Sequence, residues 1–251
     1  SWAAFHANLL AAHVDAPLDI SSLLPMFQEV AKSMAMIRDS MTVIKQSVHF
    51  LNPNQIPVMT CDQPLYALAK AIQWNWPNIF SEEQIVVLFG GLHIKIATLR
   101  TIGSWLENSG WTSALSQAGI ASSGTADSFL KASHVSRSRH AHEVTACALY
   151  ILMKRSYKLF LDDQDPEKSS VSFEEWREQS EIDSPLFHYW SVTLRFELMI
   201  LLFVRSLREG KFSLYKDSIA QLIPWFFALD HPNYARWLPV HLRDMMALTS
   251  I

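Results

Sequence analysis

The segment that most constrains the fold is residues 56–94, where two short apolar runs flank a longer stretch with helical spacing. Residues 56–60 and 84–89 are predicted strands, and the stretch between them is a predicted helix. In an open α/β sheet, chemical groups collect where strands reach their carboxyl ends. Asp62 and His93 directly follow the two predicted strands. If the chain carries an inherited active site, this is where we expect it, with Asp62 as its main member.

The composition excludes several classes of protein. Of 251 residues, 49% are hydrophobic, so the chain can bury a substantial core and is not disordered. Only seven residues are glycine, which argues against an all-β fold with many tight turns. The formal net charge is −3, so the chain has no global electrostatic footprint for nucleic acid. Any contact with DNA must therefore use a local basic patch.

Outside the two predicted strands, the periodicity is helical almost throughout. Residues 162–171 are predicted to form a polar surface loop, and Ser109 and Gly110 to cap the helix before them. Helices are predicted over residues 21–51, 64–74, 93–108, 111–119, 136–160, 185–208, 214–229 and 232–248, with two more beginning near Ala126 and at the Ser172–Glu175 capping box. The predicted fold class is thus mostly α with a small α/β piece.

Cysteine and hydropathy patterns point to a reduced chain without a membrane span. Cys61 and Cys147 lie in apolar contexts typical of core thiols, and they form neither a disulfide framework nor a zinc motif. The longest apolar run, residues 196–204, is far shorter than the roughly 20 residues that a bilayer requires, so we predict a buried helix there. The first residues lack an initiating Met and a basic region, and we expect the chain to be an excised piece of a longer protein.

Asp62 and His93 each have an ordinary structural explanation beside a functional one. Asp62 stands where a strand gives way to a helix, so its carboxylate can bind Mg²⁺ or can cap the helix by accepting backbone N–H bonds. Capping is the commoner role at such a junction. His93 can ligate a metal, support a neighbouring ligand, or satisfy a polar group at a helix start, and the last is again the commonest.

The only dense basic patch is SHVSRSRHAHE, residues 133–143, at a predicted helix start. Backbone N–H groups and the helix dipole favour anions there, so Arg137, Arg139 and His140 are predicted to contact DNA phosphates. The alternative is a solvated helix face on which Glu143 pairs with its basic neighbours. His134 and His142 belong to the same patch, but their spacing, without a nearby cysteine, fits no standard zinc site.

A third candidate is residues 229–237, LDHPNYARW, where a new helix begins. Asp230 precedes His231 and Pro232, and helix capping explains its position. The aromatic and arginine content of this segment could stack on nucleic-acid bases. Aromatic residues at helical spacing are more often core, and the neighbouring Trp225 supports a packed corner.

At these segments the chain resembles a family of uncharacterised animal proteins that is abundant in marine invertebrate genomes and related to transposable elements. The resemblance runs through nearly the whole chain from about Asp39. It is carried by CDQPLYALAKAIQW, GGLHI, GSWLENSGWTSAL, SSGTADSFLKASHVSRSRHAHEVT and IPWFFALDHPNYARWLPVHLRDM.

The chain is also distantly similar to Mutator-like transposases in the order and spacing of Asp62, the Trp76-Pro77 pair and Gly91-Leu92-His93. This resemblance implies an RNase H-like core interrupted or followed by a helical insertion. The implied segments are an amino-terminal helical segment (1–54), a partial RNase H-like piece (55–109) and an insertion-like region (110–251). Asp62 would be the second of three acids that hold two Mg²⁺ ions for phosphodiester chemistry, with His93 beside it.

The chain departs from the transposase pattern at the other two acids. The first should lie on an earlier strand, yet the sequence before residue 56 is helical in pattern, and the third is expected beyond Ile251. We therefore expect a transposase-like piece that is inactive by itself, with DNA as partner, no membrane partner, a nuclear location, and the question of a homo-oligomer open. The alternative is a non-catalytic helical module that binds protein or DNA.

Overall fold

The computed structural model describes residues 30, 32–164 and 171–248, and the chain divides into two compact units, residues 1–88 and 89–251. Over the described residues, the first unit holds three helices and the sheet up to Leu88, and the second holds Phe89, the last residue of that sheet, and eight helices. In chain order the elements are α1 (Met34–Leu51), β1 (Val58–Cys61), α2 (Gln63–Asn75), α3 (Pro77–Phe80), β2 (Val86–Phe89), α4 (Gly91–Leu106), α5 (Trp111–Gln117), α6 (Ser123–Leu130), α7 (Val135–Asp162), α8 (Phe173–Asp183), α9 (Pro185–Glu209), α10 (Phe212–Ala228) and α11 (Pro232–Ala247).

The predicted fold class is confirmed in its coarse form, because the described chain is mostly helical with one small parallel sheet of two strands. Both strands are shorter than predicted and begin two residues later. The backbone N–H of Val86 donates to the carbonyl of Pro57 at 2.9 Å. Strand β2 alternates between half-buried and buried residues, with Val87 and Phe89 buried. Period-two alternation of this kind places one face of a strand in the core.

Helix α1 shows how local chemistry sets an element's limits. The side chain of Ser33 accepts a hydrogen bond from the backbone N–H of Met36 at 3.1 Å and so begins the helix. The helix ends before Asn52, at the predicted turn. Ile37 and Met41, one turn apart, are fully buried. The helix was predicted over residues 21–51, and residues 21–29 and 31 of that range lie outside the described residues.

A buried polar network fixes helix α2 against the segment that leads into β2. The side-chain amide of Gln73 donates to the backbone carbonyl of Ile85 at 2.8 Å. Lys70 is only 1% exposed and donates to Gln73 at 2.7 Å and to Glu82 at 2.5 Å. A lysine that is this buried is stable only when its donors are satisfied. The network therefore ties the middle of α2 to the approach to the second strand.

The second unit packs around α9. Phe196, Ile200 and Phe203 are fully buried along one face of this helix, as predicted for the apolar run at 196–204. Ring stacking extends this core, with the centroids of Phe196 and Trp225 3.9 Å apart. None of the helices that the structure describes combines the length and hydropathy needed to cross a membrane.

Several sequence-based details are confirmed and others need correction. The capping box at Ser172 and Glu175 is present, with both reciprocal hydrogen bonds. Helix α4 ends at Leu106, earlier than expected, and Gly110 does not close it. Gly110 instead begins α5 with a positive φ of 85°. Glycine is needed there because a left-handed backbone strains other residues.

The two cysteines differ in a way the sequence did not reveal. Cys61 is buried at the end of β1, where burial and the neighbouring Asp62 raise the pKa of its thiol to about 12. Cys147 is exposed on α7, so the prediction that it is a core thiol is wrong. It lies on the solvent side of a long helix whose opposite face supplies the packing.

Helix α4 passes very close to the backbone at the end of α6, and Gly103 lies at the point of closest approach. A Cβ atom added at Gly103 would lie 1.9 Å from the carbonyl oxygen of Leu130, a distance that no real contact allows. Gly124 is its natural control, because a Cβ there would have no heavy atom within 4 Å.

We expect Gly103→Ala to lower the free energy of unfolding by about 2 kcal/mol or more, since the two backbones must separate to admit the methyl group. Gly124→Ala should be neutral or stabilising by roughly 0.5–1 kcal/mol, because alanine favours the helix. Urea unfolding of the two variants and the parent chain measures both effects. Equal midpoints for the two variants would contradict the close packing of α4 on α6.

Candidate phosphate-binding surface

Asp62 lies in the first unit and caps helix α2. Its Oδ1 accepts the backbone N–H of Leu65 at 3.2 Å, and its backbone carbonyl accepts the N–H of Tyr66 at 2.8 Å. The capping interpretation is therefore confirmed, whereas a metal-binding or catalytic role for Asp62 stays a prediction. Within the described ranges, no group of three or more His, Cys, Asp or Glu side chains is arranged to hold a metal ion.

His93 lies in the second unit, in the first turn of α4. Its backbone N–H donates to the carbonyl of Gly90 at 2.9 Å, and its own carbonyl accepts the hydroxyl of Tyr234 at 3.4 Å. The imidazole is exposed. His93 thus takes part in a helix start, and its proposed catalytic role stays a prediction.

The basic patch lies in the first turns of α7, and its members have different surroundings. Arg137 is exposed and makes no hydrogen bond or ion pair with any described residue. Arg139 Nε lies 3.1 Å from Glu143 Oε1, and His140 Nδ1 lies 3.5 Å from Glu143 Oε2. The predicted pairing with Glu143 is confirmed. One carboxylate is shared by two basic side chains, so it does not neutralise the patch.

Two further cations join this patch from other helices. Lys95 on α4 and Arg208 on α9 belong to helices that pack against α7, and the charge of Arg139 acts on both. Burial lowers the pKa of Lys95, and the charges of Arg139 and Arg208 lower it further. Burial also lowers the pKa of Arg208, with Arg139 adding to the effect and Glu143 opposing it. We call Lys95, Arg137, Arg139, His140 and Arg208 the basic cluster.

A pocket of about 460 Å³ with a mixed lining, which we call the α6–α7 pocket, adjoins the basic cluster. Arg137 and His140 line it together with the hydroxyl-bearing side chains of Ser122, Thr125 and Ser136. Ser122 precedes α6 without capping it, and its hydroxyl instead lies 2.9 Å from that of Thr125. The amino end of a helix, hydroxyl donors and a guanidinium all favour a bound anion. These groups give one side of the pocket donors suited to a phosphate, whereas the rest of its lining is apolar, formed by Ile120, Ala121, Phe129 and Ala141.

His142 does not belong to this surface, although the sequence pattern included it. It is fully buried, and its Nδ1 lies 2.8 Å from Oε1 of the equally buried Glu197 on α9. The imidazole stacks on Trp111 at a centroid distance of 4.9 Å. Trp111 in turn donates from its indole to Thr145 at 2.8 Å. His142 thus joins α5, α7 and α9, and does not face a ligand on the surface.

The segment 229–237 forms the packed corner that was predicted, but Asp230 is not its cap. Asp230 has a positive φ of 54°, and His231 occupies the cap position of α11 without a side-chain cap bond. The capping interpretation of Asp230 is therefore wrong. Tyr234 stacks on Phe89 at 5.4 Å and on Phe226 at 5.3 Å. These rings pack on each other.

The sequence identified the α7 members of the basic cluster and missed the rest. Lys95 stands among apolar residues and Arg208 among other charges in the sequence, and only the packing of α4 and α9 on α7 brings them toward Arg139. Ser122 and Thr125 were visible as a helix break, without any sign of a pocket. Spacing within one helix cannot reveal residues that other helices contribute.

Comparison with known proteins gives one family and no described function. A family model described as "Domain of unknown function (DUF8702)" matches residues 1–172 and 157–251. No curated protein matches the chain, and no solved structure does.

We expect Asp62→Ala to lower the free energy of unfolding by about 1 kcal/mol, because the N–H of Leu65 loses its acceptor. Asp62→Asn should retain most of that stability, since an amide oxygen can still cap the helix. Chemical denaturation of both variants measures the difference. Equal losses in the two variants would show that the charge of Asp62 matters beyond capping.

The stability of the chain should also depend on the protonation of Glu197. Burial raises the pKa of this carboxyl, with the interaction with His142 opposing the shift. The contribution of Glu197 to stability is therefore complete below its ordinary pKa of 4.5 and is lost as the pH rises through the raised folded-state value.

Glu197→Gln should remove this part of the pH dependence, because an amide does not titrate yet can still accept a hydrogen bond from His142. Unfolding free energies between about pH 4.5 and pH 7 measure it. Glu175→Gln provides a contrast, since hydrogen bonds from Ser172 lower the pKa of Glu175 and its contribution is lost as the pH falls. An unchanged pH profile in Glu197→Gln would contradict a buried titrating carboxyl.

Proposed function

The chain belongs to the DUF8702 family, and we propose that it is a DNA-contacting part of a transposase-like protein, non-catalytic by itself, that binds backbone phosphates at the start of α7. The proposal combines the resemblance to transposon-related proteins with the chemistry of the basic cluster. It also assigns the chain a nuclear location, since DNA is the partner.

One observation carries this proposal: Arg137, Arg139 and His140 lie in the first turns of α7, and Lys95 and Arg208 come from two helices that pack against α7. Glu143 is the carboxylate that acts on Arg139 and Arg208 here. Holding like charges together costs free energy, and a bound anion offsets that cost. DNA supplies closely spaced phosphates along an extended surface, which suits cations distributed over several helices.

The donors on one side of the α6–α7 pocket support the same proposal. Arg137 offers a planar donor fork that matches a phosphate oxygen pair, and the hydroxyls of Ser122, Thr125 and Ser136 are short donors beside it. Contacts of this type position a protein on a duplex without reading its sequence. We therefore assign the surface affinity for the backbone and no base preference.

The same proposal takes β1, α2 and β2 as part of an RNase H-like core. The parallel pairing of the strands and the position of Asp62 directly after β1 support it. Asp62 does not fit a two-Mg²⁺ centre by itself, because its Oδ1 already accepts the N–H of Leu65 and a two-metal centre needs several carboxylates. We therefore derive no phosphodiester chemistry from Asp62 or His93.

Replacing Arg137 and Arg139 together by Gln should weaken binding to a labelled DNA duplex, because two phosphate contacts are lost. The slope of log K against log salt should become shallower by about 1.8, or about 0.9 per contact. Fluorescence anisotropy over a series of salt concentrations measures both quantities. The loss should be similar for unrelated duplex sequences, since phosphate contacts carry no sequence information.

The matched control replaces Arg155 and Lys158 by Gln at the other end of the same helix. It removes the same charge from α7 but leaves the basic cluster intact. We expect its affinity and salt slope to stay near those of the parent chain. Equal effects in the two double variants would mean that net charge, and not this surface, governs binding.

A further inference from the structure

The α6–α7 pocket has a lining in two parts, which limits the ligands that fit it. Its polar part holds Arg137 and His140 with three hydroxyl-bearing side chains. Phe129 and Ala141, in its apolar part, are 3% and 1% exposed, so this part is continuous with the packed core. The other apolar residues that line the pocket are Ile120 and Ala121. A ligand that fills the pocket must therefore combine an apolar body with an anionic or acceptor group.

Backbone hydrogen bonds hold Ile120 at the apolar side of this pocket. Its N–H donates to the carbonyl of Leu115 at 3.0 Å, and the N–H of Gly119 donates to the carbonyl of Ser116 at 3.1 Å. Gly119 has a φ of 69°. This pair of bonds across a left-handed glycine is the usual end of a helix, and it fixes the residue that follows. The side chain of Ile120 is 40% exposed and is thus presented to a ligand from a fixed position.

The carboxylates near the pocket leave its polar part suited to an anion. None of the described residues that line it is Asp or Glu. Asp127 is exposed on α6, but it lies two positions beyond Thr125, and residues two apart do not share a helix face. Glu143 is already engaged by Arg139 and His140. Arg137, in contrast, has no hydrogen bond or ion pair with any residue that the structure describes.

A nucleotide has both of the parts that this lining requires. Its base is a flat and largely apolar body, which suits the side formed by Ile120 and Phe129. Its phosphate offers paired acceptor oxygens, which suit the guanidinium of Arg137 and the neighbouring hydroxyl groups. Contact with the face of a base tolerates any sequence, because every base has such a face. A base in this pocket is therefore compatible with a surface that reads no sequence.

The basic cluster outside the pocket favours a nucleic-acid strand over a small phosphorylated molecule. Lys95, Arg139 and Arg208 belong to this cluster but do not line the pocket. A strand carries a phosphate on each side of every nucleotide, so its neighbouring phosphates can pair with these cations while one nucleotide occupies the pocket. A phosphorylated side chain has a single phosphate and would leave the outer cations without a partner.

The base that enters the pocket must be unpaired. Inside a duplex, a base is stacked between its neighbours and paired with the other strand, so its face is not accessible to a protein side chain. Single-stranded ends and extruded nucleotides have no such restriction, and unstacking costs least where the base is already unpaired.

We infer that the α6–α7 pocket holds one unpaired nucleotide of a DNA strand, with its base against Ile120 and Phe129 and its phosphate against Arg137. This inference rests on the proposed function, because the basic cluster binds the phosphates that flank this nucleotide. It adds the form of DNA that the surface prefers, which is a duplex next to a single-stranded segment.

The test compares the affinity of the full chain for three labelled DNA ligands at one salt concentration. The first is a blunt duplex, the second is the same duplex with a short single-stranded overhang, and the third carries the same overhang without bases. The two overhangs have the same phosphates and differ only in their bases. We expect the overhang with bases to bind about tenfold more tightly than the abasic one in fluorescence anisotropy, which is the scale of one base contact.

The outcomes separate this inference from the proposed function. Equal affinity for the two overhangs would overturn the inference alone, because phosphate contacts would then explain all of the binding. Failure of all three ligands to bind would overturn both. A phosphoserine peptide that displaces the overhang as well as unlabelled overhang does would also overturn the inference, since the pocket would then accept a single phosphorylated side chain.

Three single variants locate the base. Ile120→Ser should reduce the tenfold preference to about threefold, because the base loses part of its apolar contact. Ile151→Ser is its control, since Ile151 is 49% exposed on α7 and does not line the pocket. Arg139→Gln should weaken all three ligands by a similar factor and leave the preference unchanged. A full preference in Ile120→Ser, with an unfolding midpoint near that of the parent chain, would contradict the placement of the base.

Discussion

The arrangement of the second unit depends on the buried hydrogen bond between His142 and Glu197. Both side chains are fully buried, so each would carry a large desolvation cost without the other. The bond fixes the rotation of α7 against α9, and the stacking of Trp111 on His142 adds α5 to the same contact. Because α7 is held in this orientation, Arg137 and His140 line the α6–α7 pocket. Val144, Ala148 and Leu152 line a separate apolar groove between α5, α7 and the start of α9.

One helix of 28 residues therefore carries two different surfaces in succession. Its first turns are charged and lie beside hydroxyl groups from α6, whereas its middle turns are apolar and lie between α5 and α9. The change from one to the other occurs around His142, where the helix is most deeply buried.

The sequence predicted which elements exist much better than it predicted which residues meet. Periodicity identified both strands and every long described helix, and capping chemistry identified Ser172 with Glu175. These are local signals, since they depend on neighbours within four residues. His142 was placed on the basic surface because its spacing from Arg139 gives no information about the partner helix. Only tertiary packing shows that it faces Glu197.

The candidate sites show the same difference between local signals, which the sequence contains, and tertiary contacts, which it does not reveal. Asp62 was correctly recognised as a helix cap because the cap and the helix are adjacent in sequence. Asp230 was wrongly predicted to cap a helix, because its positive φ moves the cap position to His231. The sequence pattern does not indicate a positive φ at this residue. Lys95 and Arg208 gave no local signal of a binding surface, since charged side chains on helices are ordinary. Their significance comes from the charges that α4, α7 and α9 bring together.

The close contact between Gly103 and the carbonyl of Leu130 fixes one end of α6 against α4. Helix α6 is about 12 Å long, with Leu130 at one end and Ser122 just before the other. Because so short a helix moves as a rigid body, a shift at Leu130 would also displace the hydroxyls of Ser122 and Thr125, which line the pocket together with Arg137. The placement of Ser122 and Thr125 beside Arg137 therefore depends on the absence of a side chain at residue 103 of α4.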